Sequence, residues 1–548
     1  MRVFEIVAET LIGLGIRQVF GVVGSGNYDV TKALVEHGAN YVAARHEGGA
    51  ASMADAYSRI GDSVPVVSLH QGCGLTNAIT GITEAAKSGS PMLILAAEVA
   101  ASSIHSNFRI AQDRLVESVG AASIRITKET AARDVALAYR IAITRRIPVL
   151  VNLPLDIQAA ESNEQYATPM RNFSALPDAV RPDSADIERL VELIQHAERP
   201  VIIAGRGGRG AGIELRELAR EAGALLATSA VARGLFNGDP YYLDISGGFS
   251  TPLAARCIQE SDLIVSFGSA LNMWTMRHGE LIGPTATVVQ IDTDALAPGK
   301  HRSVDMGVVG DSALTARAIT TELRMQGKPR IGYRTAEIAE AIKKEGRWQD
   351  VPYQDQGTSD RIDPRTLTIA LDEILDKDRV VAVDSGNFLG YPSAFLDIPD
   401  ENALVFSQAF QCVGLGLGSA IGAAYAQPDR LPVLGTGDGG ALMASAEMES
   451  VVRLGIPLVV IVYNDAAYGA EVHHFGKNES DMGIVSFHDT DFAAVAQGYG
   501  FTSGTVRTLE DLQFVREWLS GPRTTPLLID AKISSFPSWW LEEAFKGH

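Results

Sequence analysis

Short apolar runs alternate with amphipathic stretches along the whole chain. In the first third, QVFGVV, YVAAR, VPVVSL and PMLILAA are brief and rich in β-branched residues, as strands require. Between them, GGAASMADAYSRI and LTNAITGITEAAKSG carry small and apolar residues at helical spacing. Alternation of this kind predicts a mostly parallel sheet covered by helices on both faces, closing near PVLVNLPLDI at about residue 157. A polar, proline-containing stretch over 158–186 follows, and the pattern then restarts with PVIIAG, LLATS, LIVSFG and VVQID. A second connector, GRWQDVPYQDQGTSDRIDP, lacks periodicity and reads as a linker. Beyond it come VVAVDSG, LPVLGTGDGG, PLVVIVYND and PLLIDAKI. The predicted fold class is therefore α/β, with three consecutive doubly wound parallel-sheet domains over residues 1–170, 185–335 and 360–548.

Length agrees with this division, since 548 residues exceed what one hydrophobic core holds. A formal charge of −19 argues against nucleic acid or an anionic membrane as partner, because both attract clustered Lys and Arg. The opening MRVFEIVAETLIGLGI is interrupted by Glu5 and Glu9 and predicts an amphipathic helix rather than a secretory signal. No window reaches the roughly 18 uninterrupted apolar residues of a spanning helix, and the expectation is a cytoplasmic protein. Cys73, Cys257 and Cys412 form no C-x-x-C pair and are expected to be small buried hydrophobes.

Ligands of open parallel sheets bind beyond the carboxyl ends of strands, so glycine-rich turns after strands are where chemistry is expected. In LPVLGTGDGGALMASAEMESVVRLGIPLVVIVYNDAAYG, one apolar strand ends in Gly437-Asp438-Gly439 and the next is followed by Asn464-Asp465. Two neighbouring strands thus bring Asp438 and Asp465 to the same sheet edge, an oxygen pair suited to magnesium bridging to phosphate. Gly439 and Gly440 leave room for backbone N–H groups to approach such phosphates. A Gly-Asp-Gly tripeptide alone is an ordinary surface turn; the second half, some two dozen residues on, gives it meaning.

With both halves present the segment resembles the motif of the thiamine-diphosphate enzyme superfamily. That resemblance implies thiamine diphosphate and magnesium, with Asp438, Asp465 and the carbonyl of Ala467 as metal ligands, although either Asn464 or Asp465 could turn inward. It implies cofactor contacts at Gly437, Gly439, Gly440 and Ala470, and at Asn387 and Phe388 in the loop after VVAVD. YVAARHEGGAASMADAYSR resembles the segment bearing the glutamate that activates the cofactor, which places Glu47 in that role. Gly72, Gly74 and Asn77 match a Gly-x-Gly-x-x-Asn stretch, and QAFQCVGLGLGSAIGAAYA matches the segment that bends the cofactor. There Val413 would wedge between the rings, and the carbonyls of Gln411 and Val413 would meet the aminopyrimidine. Family order makes the three domains pyrimidine-binding, central Rossmann-like and diphosphate-binding. It also implies at least a homodimer, commonly a homotetramer, with each site built from two chains.

The implied activity is a lyase, decarboxylase or carboligase acting on a small carbonyl substrate through a covalent cofactor adduct. The substrate would be a 2-oxo acid, a 2-hydroxy ketone or a 2-hydroxyacyl-CoA. Ser25 and His70 match the catalytic Ser and His of benzoylformate decarboxylase, and YGAEVHHFG, with His473 and His474, resembles a segment of that enzyme. Phe108 and Gln112-Asp113 lie where acetolactate synthases carry a Phe-Gln loop, though FRIAQD departs from it. GLGLGSAIGAA and ALNMWTMRHG resemble 2-hydroxyacyl-CoA lyases and oxalyl-CoA decarboxylases, whose central domain holds nucleotide. GRGGRGAG, residues 205–212, is accordingly either a solvent loop or a phosphate cradle, with FAD or ADP the lesser alternative as a further cofactor. The alternatives to a lyase are an FAD-bearing synthase and a non-catalytic ligand-binding homologue. Trp539, Trp540, Leu541 and Phe545 in the tail predict a docked C-terminal helix or a lid.

Overall fold

A computed structural model of the chain describes residues 1–61, 63–162, 179–327, 330–476 and 481–540. Eighteen strands among them form three six-stranded sheets in which every pairing is parallel. The first sheet contains β1 Gln18–Gly21, β2 Asn40–Ala43, β3 Val66–Leu69, β4 Met92–Glu98, β5 Ala122–Arg125 and β6 Pro148–Pro154, in the order β2-β1-β3-β4-β6-β5. The second contains β7 Pro200–Ala204, β8 Leu225–Thr228, β9 Tyr242–Ile245, β10 Leu263–Phe267, β11 Thr287–Asp292 and β12 Met306–Val309, in the order β12-β11-β10-β7-β8-β9. That is the Rossmann order read from the far edge. The third contains β13 Arg379–Val383, β14 Leu404–Phe406, β15 Leu431–Gly437, β16 Val459–Asn464, β17 Thr502–Val506 and β18 Leu527–Lys532. Its order, β14-β13-β15-β16-β18-β17, repeats that of the first. Three doubly wound α/β units are thus present, as the sequence predicts.

Five strands escape the hydrophobic pattern: β5, β9, β12, β14 and β17. Each is a sheet edge. Edge strands lack one neighbour, and a run such as Thr502–Val506 need not be continuously apolar.

The first and third domains share a core. Helix Glu47–Ile60 lies against helix Gly416–Ala426, and Ala50, Met53, Ala54, Leu417, Ala420 and Ile421 are buried together. The helices meet backbone to backbone: a Cβ at Gly418 would stand 2.9 Å from the Gly49 carbonyl oxygen, and one at Gly422 2.0 Å from that of Met53. A buried ion group completes the joint. Arg59 Nη2 pairs with Asp55 at 2.7 Å and Glu84 at 2.5 Å, while the Glu84 carboxylate accepts from the amides of Ala409 and Phe410 at 3.0 and 2.6 Å.

The central domain is clamped to both neighbours. Arg233 pairs with Asp244 and donates to the carbonyls of Ser393 and Leu396, each at 2.7 Å. Arg209 donates to the carbonyls of Val231 and Arg59, at 2.9 and 2.7 Å, and Arg206 to that of Ser88. Residues 205–212 are therefore not a solvent loop but an interdomain clasp, and both guanidinium groups are committed to main-chain acceptors.

Part of the predicted linker is also tied down. Trp348 donates to the Phe249 carbonyl at 2.7 Å and stacks on Trp539 at 4.1 Å. Trp540 is buried and donates to the Asn387 carbonyl at 2.8 Å, which docks the tail on its own chain; Leu541 and Phe545 lie outside the described residues. Among the described residues no helix is long and apolar enough to cross a membrane. The cysteines correct an expectation. Cys257 is buried, but Cys412 is half-buried and Cys73 is exposed because it opens a helix at a sheet edge.

Candidate active site

In the third sheet the strand order reverses between β13 and β15, and the loops leaving these strands and β16 enclose one cavity of about 260 Å³. From the loop after β13 come Asn387 and Phe388; from the turn after β15 come Gly437, Asp438, Gly439 and Gly440. The loop after β16 contributes Asp465, Ala467 and Ala470, and the segment before helix Gly416–Ala426 contributes Gln411 and Val413. Every residue that sequence assigned to the diphosphate and metal end thus lines one space.

Asp438 and Asp465 lie close enough for the charge of one to act on the other. Burial pushes the Asp438 carboxyl up to about 6, and burial together with the charge of Asp438 pushes Asp465 up to about 7. The amide of Ala467 is directed at both carboxylates. Among the described residues of the chain no Lys, Arg or His lines the cavity, and a hard divalent cation suits this oxygen pair. The structure also separates the two adjacent candidates. Asn464 is fully buried and its side-chain amide donates to Asp530 at 3.0 Å and to the Thr490 carbonyl at 3.2 Å, whereas Asp465 lines the cavity.

The cradle has room for a bound group. Asn387 Oδ1, Gln408 Nε2 and Trp274 Nε1 belong to lining residues, are buried, and have no partner among the described residues. Buried polar atoms without partners are costly unless a ligand satisfies them. A Cβ at Gly440 would stand 2.4 Å from Asp384 Oδ2, and one at Gly469 2.4 Å from Asp465 Oδ2, so the turns fit only glycine.

Asp384 was not singled out from sequence. It is buried at the end of β13, raised to about 6 by burial, and accepts from Gly414 N at 3.0 Å, Ser385 N at 2.9 Å and Thr436 Oγ1 at 3.1 Å. These bonds fix the turn in which Gln411 takes φ +58° and Gly414 φ +91°. A carboxylate closing the apolar run VVAVD was the available signal. Trp274 and Glu471 also line the cavity, as does Trp540, and sequence reasoning assigned the first two no role there.

The remaining candidates gather elsewhere, at the switch point of the first sheet. Glu47 begins helix Glu47–Ile60, and Asn77 Nδ2 donates to its carboxylate at 3.0 Å. Ser25 Oγ lies 3.5 Å from His70 Nε2, and His70 Nδ1 lies 2.9 Å from the Gln71 carbonyl. A proton on Nδ1 satisfies that carbonyl and leaves Nε2 toward Ser25. Phe108 packs edge-on against His70 at 5.0 Å, while Gln112 is buried and accepts from Gly72 N at 2.9 Å, holding the glycine turn. None of Glu47, Ser25 and His70 lines the third-domain cavity of the same chain. His473 is absent from that lining too; it bonds Ser535 Oγ at 3.1 Å, and burial lowers its pKa. Within one chain the two groups of candidate residues therefore stand apart.

Three family models match the chain: the N-terminal TPP binding domain, the central domain and the C-terminal TPP binding domain of thiamine pyrophosphate enzymes, over residues 1–119, 187–319 and 384–531. Among similar proteins, a probable acetolactate synthase large subunit of Methanocaldococcus jannaschii is 26% identical over 94% of this chain and 89% of its own length. The acetolactate synthase large subunit of Lactococcus lactis is 26% identical over 97% and 92%. The sulfoacetaldehyde acetyltransferase of Alcaligenes xylosoxydans is 25% identical over 93% and 88%.

Proposed function

Because this chain belongs to the thiamine pyrophosphate enzyme family, and so is a thiamine-diphosphate-dependent enzyme that forms or cleaves carbon–carbon bonds, we propose that it is a magnesium-dependent lyase, decarboxylase or carboligase. Its substrate is a 2-oxo acid, a 2-hydroxy ketone or a 2-hydroxyacyl-CoA. The observation that carries this reading is the pair Asp438 and Asp465, brought by neighbouring strands to one glycine-walled cavity.

Asp438, Asp465 and the Ala467 carbonyl hold the metal, and the amides of Gly439 and Gly440 with Asn387 meet the diphosphate. Gln411 and Val413 receive the aminopyrimidine, held in their strained turn by Asp384. When bound, the cofactor supplies a carbon nucleophile and a sink for the electron pair released beside the carbonyl. Glu47, aligned by Asn77, moves a proton at the aminopyrimidine. His70 and Ser25 would move a proton on and off the oxygen of the substrate's reacting carbon. Trp274 and Trp540 exclude water from the reacting centre.

Since Glu47 and the cavity stand apart in one chain, the reading requires a second copy: a homodimer or homotetramer in which Glu47 of one chain completes the cavity of another. A synthase holding FAD in the central domain is the alternative that the sequence resemblance raises; Arg206 and Arg209, committed to carbonyls, do not fit a phosphate cradle there. Calorimetric titration of metal-stripped protein with thiamine diphosphate, with and without magnesium, tests the reading. A carbon-dioxide-release screen over pyruvate, benzoylformate and oxalyl-CoA follows. Magnesium-dependent binding with one active substrate supports it, and absence of binding overturns it.

A further inference from the structure

Helix Glu447–Arg453 of the third domain follows the Gly437–Gly440 turn, yet its polar side chains reach the first domain of the same chain. Glu447 is 2% exposed, and its Oε1 accepts from the amides of Arg45 and His46, each at 3.0 Å. Its Oε2 accepts from Ser450 Oγ at 2.6 Å. Arg453 donates to the Ala43 carbonyl at 2.5 Å, and Glu449 pairs with the Arg45 side chain. One helix thus holds the main chain from the end of β2 up to His46, the residue before Glu47. A Cβ at Gly49 would collide with Glu447 Oε1, so glycine at that position makes room for the carboxylate.

The fold repeats this device in the opposite direction. The first and third sheets share one strand order, so the turn after β2 corresponds to the segment after β14, and helix Cys73–Ser88 after β3 corresponds to the helices after β15. From helix Cys73–Ser88, Glu84 is 1% exposed and accepts from the amides of Ala409 and Phe410, immediately before Gln411. In each domain a buried carboxylate beyond the third strand of the sheet therefore fixes the backbone beyond the second strand of the other domain. Packing alone calls for no carboxylate at either place, since an apolar side chain there would cost less to bury. What both carboxylates supply is a charge-assisted acceptor that two successive amides satisfy in one geometry.

We propose that Glu447 is a positioning residue for Glu47: by holding the amides of Arg45 and His46 it sets where the Glu47 carboxylate stands. It does so by the reach of its Oε1 and not by its charge. This role rests on the reading above in which Glu47 moves a proton at the aminopyrimidine, and it names what fixes the backbone beneath that residue.

The test uses the magnesium- and thiamine-diphosphate-loaded enzyme with whichever of pyruvate, benzoylformate and oxalyl-CoA it turns over. Glu447→Asp keeps the charge but draws the acceptor back by one methylene, and kcat should fall about tenfold or more while KM stays within about twofold. Glu447→Gln loses the charge but leaves Oε1 in reach of both amides, and should recover kcat to within about threefold of wild type. In a Glu47→Gln background, Glu447→Asp should lower kcat no further, because a residue that acts through Glu47 has nothing left to align. A second readout needs neither turnover nor cofactor. In amide hydrogen exchange of the metal-stripped protein, a peptide spanning Arg45 and His46 should exchange about tenfold faster in Glu447→Asp and near the wild-type rate in Glu447→Gln, while one spanning β15 keeps its rate in both. Unchanged kcat in Glu447→Asp, an equal loss in the wild-type and Glu47→Gln backgrounds, unchanged exchange at Arg45 and His46, or a Glu447→Gln as impaired as Glu447→Asp overturns the positioning role and leaves the reading of Glu47 standing. Turnover that survives Glu47→Gln itself, or a loaded wild type that acts on none of the three substrates, overturns both.

Discussion

At the residue scale the cavity is governed by charge. Asp438 and Asp465 each lie well above the usual carboxylate range because they are buried, and in Asp465 because Asp438 is also near. A cation must displace their protons, so metal affinity should rise as pH climbs through about 6 to 7; calorimetry at pH 5.5 and 8 checks this. Asp438→Ala removes a proposed metal ligand, and the purified variant should retain no thiamine diphosphate, as a fluorescence assay of extracted cofactor would read. Glu47 answers to a different test. Glu47→Gln preserves its shape and its bond to Asn77 but cannot accept a proton, and turnover should fall about 100-fold or more while the melting temperature holds.

Between elements, the decisive contacts are made by absent side chains. Helices Glu47–Ile60 and Gly416–Ala426 approach closely enough that no methyl fits at Gly422, where it would meet the Met53 backbone rather than a flexible side chain. Gly422→Ala should therefore cost about 1–3 kcal/mol or more, read as an earlier urea midpoint, because two backbones must separate. The same scale shows why hydrophobic pattern finds some strands and not others. The inner strands are buried on both faces and between two neighbours, so that VPVVSL and PLVVIVYND are nearly continuous in apolar residues. Edge strands such as β12, with alternating buried and exposed positions, carry too short a signal to separate from a loop. The clasp at Gly205–Gly212 was ambiguous for another reason: a glycine-rich turn after a strand has the same sequence whether a phosphate or another domain occupies it.

Across the whole molecule, three domains are joined by buried arginines. Arg233, paired with Asp244 inside the central domain, ties that domain to the third through the carbonyls of Ser393 and Leu396, and Arg233→Ala would leave the largely buried Asp244 carboxylate without its ion pair. A loss of about 3–5 kcal/mol is expected, visible in denaturant unfolding. The largest feature is the separation of Glu47 from the cavity. If sites form between chains, mixing Glu47→Gln with Asp438→Ala should restore about a quarter of wild-type activity, since half of randomly assembled dimers are mixed and one of their two sites is intact. Either variant alone stays inactive, and a mixture that also stays inactive would place the whole site within one chain.

The sequence by itself determined the three α/β units, their inner strands, and the residues gathered around one cavity. These follow from local order: a strand, its glycine turn and the acid beyond it are neighbours in the chain, and parallel pairing brings successive turns to one edge. Tertiary structure alone decided that Asp465 rather than Asn464 faces the cavity, because Asp530 and the Thr490 carbonyl, over 25 residues or more downstream, claim the Asn464 amide. It alone brought Trp274, Glu471 and Trp540 to the same wall and turned Arg206 and Arg209 away from any phosphate. Orientation of that kind depends on which distant partners satisfy a buried polar group, and hydrophobic spacing carries no record of them.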